Sequence, residues 1–226
     1  MSTTEPIINL KGLRFAYPKR PEVIKGLDLF VDSQTRLGLV GSNGSGKTTL
    51  LSIIMGLLKP QAGTVELLGR LCKKEADFKE VRPLMGFVFQ DANDQLFCPT
   101  VADDIAFGPL NLGKTRAEAA KIVQEVLAGL GLTGFEDRIT YDLSGGEKKL
   151  VAVGTALALS PKVLILDEPT TFLDVSAVDR LEAIIAKLDL PMVIVSHDAA
   201  FLDRVVTSRL QMIDGQLFPA HSAGKS

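Results

Sequence analysis

Apolar residues along the chain fall into two kinds of run. "TRLGLVG" (35–41), "MGFVFQ" (85–90), "KVLIL" (162–166) and "MVIV" (192–195) are short and densely apolar, which predicts strands, the last two fully buried. Longer runs space their apolar residues at helical intervals: "KTTLLSIIMGLLK" (47–59), "TRAEAAKIVQEVLAGLGL" (115–132) and "EKKLVAVGTALAL" (147–159) predict helices. In 115–132 the apolar positions recur at i, i+3, i+4 and i+7 with polar residues between, the stripe of a helix packed on a core. Near the end, "DGQLF" (214–218) offers an Asp-Gly turn, and "PAHSAGKS" (219–226), with His221, reads as a frayed tail. No internal repeat or low-complexity segment interrupts the pattern.

Composition narrows the classes. With 226 residues, 46% hydrophobic and 23% charged, the chain can bury the core of an ordinary globular domain. Its 25 Lys and Arg against 27 Asp and Glu leave a net charge of −2, which argues against nucleic acid or an anionic membrane surface as partner. Cys72 and Cys98 stand far apart without nearby histidines, so neither a disulfide framework nor a zinc site is implied, and a reducing, cytoplasmic setting fits. "MSTTEPIINL" lacks the basic and apolar regions of a signal peptide. The nearest approach to a membrane span, 150–166, is broken by Ser160, Pro161 and Lys162.

Chemistry enters between the first buried strand and its helix. Gly41, Ser42, Asn43, Gly44, Ser45, Gly46, Lys47, Thr48 and Thr49 run from strand to helix and fit G-x-x-x-x-G-K-[ST]. Glycines let backbone N–H groups approach a polyphosphate, and the helix N-terminus adds partial positive charge. Lys47 then reaches the β- and γ-phosphates, and the Thr48 hydroxyl suits Mg²⁺. A flexible turn with a solvated lysine is the alternative. A second, acidic element follows the strand at 162–166: Asp167 is placed to hold Mg²⁺ through water, and Glu168 to orient and polarise an attacking water. Taken alone, the two carboxylates could be a solvated turn before Pro169.

"LSGGEKK" (143–149) opens the third helix, and with it the chain resembles the ATP-binding-cassette (ABC) ATPases. By this resemblance Ser144, Gly145 and Gly146 contact the ATP held by the opposing subunit of a head-to-tail dimer. Ser144 also makes a helix N-cap with Glu147 three residues on, a plain capping box that leaves the two glycines without a local reason. The resemblance further implies that Gln90 senses Mg²⁺ and the attacking water and hinges two lobes, that His197 faces the γ-phosphate, that Asp174 belongs to the dimer-interface loop, and that Tyr17 in "FAYP" stacks on adenine. An aromatic before Pro18 could also merely pack a strand end.

The resemblance spans residues 7 to about 218. It implies an α/β fold: a P-loop NTPase (RecA-like) core at about 7–90 and 161–218 with a mainly parallel sheet, an N-terminal antiparallel β layer, and an inserted helical lobe at about 91–160, all within one domain. ATP and Mg²⁺ are the implied substrate and cofactor. "FQDANDQLFCPTVADDIAFGPLNLG" (89–113) and the "EKK" after the glycines resemble the energy-coupling-factor subgroup, particularly the ATPases of cobalt and nickel uptake. The partners so implied are a second ATPase, identical or related, an integral membrane coupling subunit and a substrate-capture subunit, with the chain peripheral on the cytoplasmic face of the membrane. Leu96, Phe97, Val101, Ile105 and Phe107 are suited to offer an apolar grip to the membrane partner, with part of the set expected simply to pack the helical lobe. Departures are Thr171 and Phe172, where relatives carry a small residue and glycine, and the missing proline after Asp174. Chain length near 226 lacks the C-terminal extension some such ATPases use for dimer contacts, so a nucleotide-free homodimer is expected to be unstable. A cassette for another cargo, and a soluble ABC ATPase acting on DNA or ribosomes, are the competing readings; a stand-alone phosphate-loop kinase leaves "LSGGE" unexplained.

Overall fold

A computed structural model describes residues 6–220. Two sheets carry the molecule. The smaller is antiparallel, in the order β2-β1-β4-β5, built from β1 (Pro6–Ala16), β2 (Glu22–Asp32), β4 (Ala62–Leu67) and β5 (Arg70–Leu71). Along β2, Leu27, Leu29 and Val31 point inward while Asp28 and Phe30 face out, the period-two alternation of a sheet with one wet side. The larger has the order β10-β9-β3-β8-β7-β6: β3 (Arg36–Val40), β6 (Met85–Val88), β7 (Val163–Asp167), β8 (Met192–Val195), β9 (Ser208–Ile213) and β10 (Gln216–Pro219). Its pairings are parallel except for the β9–β10 hairpin, which turns at Asp214 and Gly215, both at positive φ (46° and 78°).

Seven α-helices complete the described chain: α1 (Lys47–Ile54), α2 (Glu75–Val81), α3 (Val101–Asn111), α4 (Arg116–Gly129), α5 (Gly145–Leu157), α6 (Val175–Lys187) and α7 (Ala199–Val205). The large sheet divides the apolar interior by strand alternation. Val163, Ile165, Val193 and Val195 join α1, α2 and the inward face of the small sheet in one core. Leu164, Leu166, Met192 and Ile194, pointing the other way, join α3 to α7 in a second. No described helix is long and apolar enough to cross a membrane.

Several expectations shift. The helix foreseen over 47–59 ends at Ile54, because Gly56 turns to φ 69° under the Phe78 ring, and Leu57 and Leu58 send their N–H groups back to the Ser52 carbonyl. Of the five residues expected to form an apolar grip, Leu96, Val101 and Ile105 are core; Phe97 and Phe107 are exposed and meet edge to face at 4.8 Å. Buried Asp104, on α3 with Phe107, holds the Phe97 loop by accepting from the N–H groups of Phe97 and Cys98 and from the Thr140 hydroxyl. Pro219 and Ala220, expected to begin the tail, are held against Leu210 and Arg209. The remainder of that tail, with His221, lies outside the described residues.

Candidate functional site

Four neighbouring parallel strands deliver the candidate groups, each from its carboxyl end, where open α/β sheets place their binding crevice. β3 runs into the glycine loop, β6 into Phe89 and Gln90, β7 into Asp167 and Glu168, and β8 into Ser196 and His197. Their ends open into a cleft of about 410 Å³ lined by Tyr17, Asn43, Gly44, Gly46, Lys47, Thr48, Thr49, Gln90, Asp167, Glu168 and His197, with Arg20, Val23 and Thr171 at its walls.

The loop's shape depends on its glycines. Gly46 caps α1 at φ 112°, and a Cβ there would come within 2.8 Å of Met212 Cε. A Cβ on Gly41 would stand 2.6 Å from the Met212 carbonyl oxygen, so β9 packs directly on this turn. No side chain caps α1 and no acid lies in its first turn, which leaves its N-terminal N–H groups and dipole facing the cleft. Lys47 folds back to donate to the carbonyls of Gly41 (2.7 Å) and Ser42 (3.1 Å). Ser45 sits beneath the loop rather than in the cleft, buried, its hydroxyl without a partner. Thr49 shares a 3.1 Å hydrogen bond with the Tyr17 hydroxyl, and the Tyr17 ring packs edge to face on Phe15. The phenol is thereby turned toward α1.

Three ionisable side chains are buried together: Lys47, Asp167 and Glu168 are 7%, 6% and 8% exposed. Burial holds the Lys47 ammonium below the usual lysine range, although Glu168 and Asp167 pull it back up. For Asp167, burial and then the Glu168 charge push the carboxyl up, against the Thr48 hydroxyl, Lys47 and Lys149. Thr48 Oγ1 lies 3.4 Å from Asp167 Oδ2. Glu168 adopts φ 44°, a left-handed backbone uncommon for a side chain of this size and costing about 1–3 kcal/mol, as strained residues at functional sites do. Its Oε2 accepts from the His197 N–H at 3.2 Å. Its Oε1 stands 3.1 Å from His197 Nε2 but off hydrogen-bonding geometry, and is buried without a hydrogen-bond partner. A carboxylate that lines a cleft and keeps one oxygen without a hydrogen-bond partner is suited to accept from a water. A hydroxyl, a carboxylate and an amide oxygen, from Thr48, Asp167 and Gln90, form the hard oxygen set that Mg²⁺ takes together with phosphate.

Ser144, Gly145, Gly146 and Asp174 are not in this cleft. Ser144 caps α5: its hydroxyl donates to Glu147 Oε2 at 2.7 Å, its N–H donates to the same oxygen at 2.8 Å, and Glu147 is braced by Arg138 at 3.1 Å. Gly146 has a packing reason as well, since a Cβ there would press to 2.7 Å on that of Ala177. Asp174 caps α6 through the Ala177 N–H. Just before it, Phe172 is 84% exposed at φ 66°.

Sequence reasoning missed Arg20, Val23 and Thr171 in the cleft wall, and Lys149 behind Gln90. Lys149 is 2% exposed, donates to the carbonyls of Phe89 (3.1 Å) and Gln90 (2.6 Å), and is pushed down to about 8 by burial, with Asp91 and Asp167 opposing. The pair of lysines after the glycines was the available signal.

The ABC transporter family profile matches residues 24–171. The chain is 41% identical over 212 residues to the cobalt import ATP-binding protein CbiO of Rhodobacter capsulatus, covering 90% of this chain and 76% of that one. Over 215 residues it is 38% identical to the energy-coupling factor transporter ATP-binding protein EcfA of Methanothermobacter thermautotrophicus, covering 93% and 69%. Among solved structures, CbiO1 of Clostridium perfringens, described as part of the ABC transporter complex CbiONQ, superposes with a TM-score of 0.86 at 30% identity, covering 95% of this chain and 87% of that one.

Proposed function

The chain belongs to the ABC transporter family as an ATP-hydrolysing, ATP-binding subunit, and from that premise we propose that it powers an energy-coupling-factor importer of cobalt or nickel. The observation that carries the ATPase mechanism is the buried Lys47–Asp167–Glu168 group at the strand ends, with Glu168 Oε1 lacking a hydrogen-bond partner. The cargo rests on likeness to CbiO and EcfA and on the 89–113 stretch, since nothing in the cleft touches cargo.

In this reading Tyr17 packs on adenine, and Gly44, Gly46, Thr48 and Thr49 present α1's first N–H groups to the phosphates. Lys47 leaves the Gly41 and Ser42 carbonyls for the β- and γ-phosphate oxygens, whose negative charge repays its burial. Thr48, Asp167 and Gln90 would hold Mg²⁺, which offsets phosphate charge when bound. Glu168 accepts a proton from the attacking water, and His197, beside it, steadies the γ-phosphate. Ser144, Gly145 and Gly146 lie outside this chain's own cleft, which fits their serving the ATP of a second copy in a head-to-tail pair, with Asp174 and its loop between the two. Closure of that pair, transmitted to a membrane subunit, is the work stroke.

The test is to purify tagged Glu168→Gln protein with ATP from detergent-solubilised membranes of its own cells and identify the companions. Multispanning membrane subunits and a small capture subunit are expected, followed by loss of cobalt or nickel uptake when the gene is deleted. Ribosomal or chromosomal material with no membrane subunit overturns the transporter role; intact metal uptake overturns the cargo.

A further inference from the structure

Among the described residues Lys149 is the most deeply buried charged side chain, yet both of its hydrogen bonds go to main-chain carbonyls, those of Phe89 and Gln90. Burying an ammonium without a directly bonded carboxylate is unfavourable, and an apolar side chain would fill the same volume at no such cost. Its presence therefore asks for a job that needs donors. Two adjacent carbonyls turned the same way at a bend are satisfied by one atom only if it carries several hydrogens, and an ammonium carries three.

The surrounding bonds have the same direction. Lys148 Nζ reaches Asn93 Oδ1 at 3.0 Å. Gln95 accepts from the Phe89 N–H at 3.1 Å and donates to the Ala152 carbonyl (2.8 Å) and the Thr155 hydroxyl (2.7 Å). The segment after β6 is thus stapled along α5 by polar side chains, with Lys149 at the buried centre. Gln90 faces the nucleotide cleft of its own chain, while Ser144 lies at the N-cap of the same α5 and outside that cleft.

We propose that Lys149 is a positioning residue that locks the main chain at Phe89 and Gln90 to α5, so that Gln90 in one nucleotide site and Ser144, offered to the other, move as one piece. The proposal rests on the roles given above to Gln90 and Ser144. Its consequence is that occupancy of one cleft of the closed pair is felt in the other through residue 149, without any contact between Lys149 and nucleotide.

The experiment compares wild type with Lys149→Met, which keeps the length and removes the donors, and with Lys149→Arg, which keeps them. Hydrogen exchange without nucleotide is expected to show protection across residues 89–95 falling about tenfold in Lys149→Met, the loss expected when local opening becomes easier. Unchanged exchange overturns the proposal whatever the fate of the ATPase reading. With ATP, kcat is expected to fall about 10- to 100-fold, as small misplacements of a reacting group do, while the Kd for ATP stays within about twofold. The Hill coefficient is expected to drop toward one, and the arginine variant to recover most of kcat. A kcat within about twofold of wild type overturns the proposal. So does a fall in kcat matched by equal losses in ATP affinity and thermal midpoint, which marks Lys149 as packing only. Should the methionine variant fail to fold, Lys149→Leu, which also lacks donors, carries the same readouts. If the nucleotide roles themselves are wrong, Glu168→Gln retains turnover while the exchange result still stands.

Discussion

Two helices of this molecule begin with the same device and leave it in opposite states. α1 starts at Gly46 with no capping side chain and no acid in its first turn, whereas α5 starts at Ser144 with a complete capping box closed by Glu147. Both concentrate backbone N–H groups and the positive end of a dipole behind glycines. At α1 that positive end is unoccupied by the chain itself and opens on buried Lys47, Asp167 and Glu168. At α5 it is already answered by a carboxylate that also holds the Ser144 proton. In the proposed mechanism one terminus is a phosphate site by itself, and the other becomes one only when something more strongly anionic competes with Glu147. A second subunit's nucleotide is suited to do so, and between encounters the self-cap keeps the half-site satisfied.

The largest effect that would test this contrast is at the α1 side. Glu168→Gln is expected to keep ATP binding and to lose about 10²–10⁴-fold in turnover, the worth of a positioned base; steady-state hydrolysis near wild type would refute the assignment. Next is Ser144→Arg, which fills the α5 terminus: turnover is expected to fall by at least about 100-fold, comparable to loss of a transition-state donor, with equilibrium binding of ATP intact. Normal turnover there would mean α5 serves no nucleotide.

Smaller effects come from exchanging the states. Thr49→Glu gives α1 the acid that α5 carries at the corresponding third position, and relative to Thr49→Gln it is expected to weaken ATP about tenfold by charge repulsion. Calorimetric titration of the two variants checks this, and equal affinities would show that α1's open terminus is not the phosphate contact. Glu147→Gln makes the reverse exchange. It is expected to destabilise the fold by only about 0.3–1 kcal/mol, through the lost dipole interaction, in urea unfolding. Its turnover is expected to stay within about threefold, because the amide leaves Ser144 free to turn.

What sequence could reveal follows from how local each feature is. The glycine loop, the Ser144 capping box and the Asp214-Gly215 turn are written in neighbouring residues, and the structure has each of them. Asp167 and Glu168 were legible because they close a dense apolar run, whereas Gln90 and His197 were named only through the family resemblance; parallel strands bring all four to one cleft. Features set by distant packing were not legible. The early end of α1 depends on Phe78, and the burial of Leu96, Val101 and Ile105 on α4 and α5. Lys149 reads as one of two solvated lysines until Phe89 and Gln90 are folded over it.

The division of the interior by strand alternation carries a consequence for how such a chain can change over time. Leu164 and Ile165 are consecutive in sequence but belong to different cores, one shared with α3 to α7 and the other with α1 and the small sheet. A substitution in the first core finds its compensations among α3 to α7, and one in the second among residues beneath the glycine loop. The packing around α3 to α7 and the packing beneath the glycine loop can therefore be remodelled almost independently, provided the β7 backbone between them stays still.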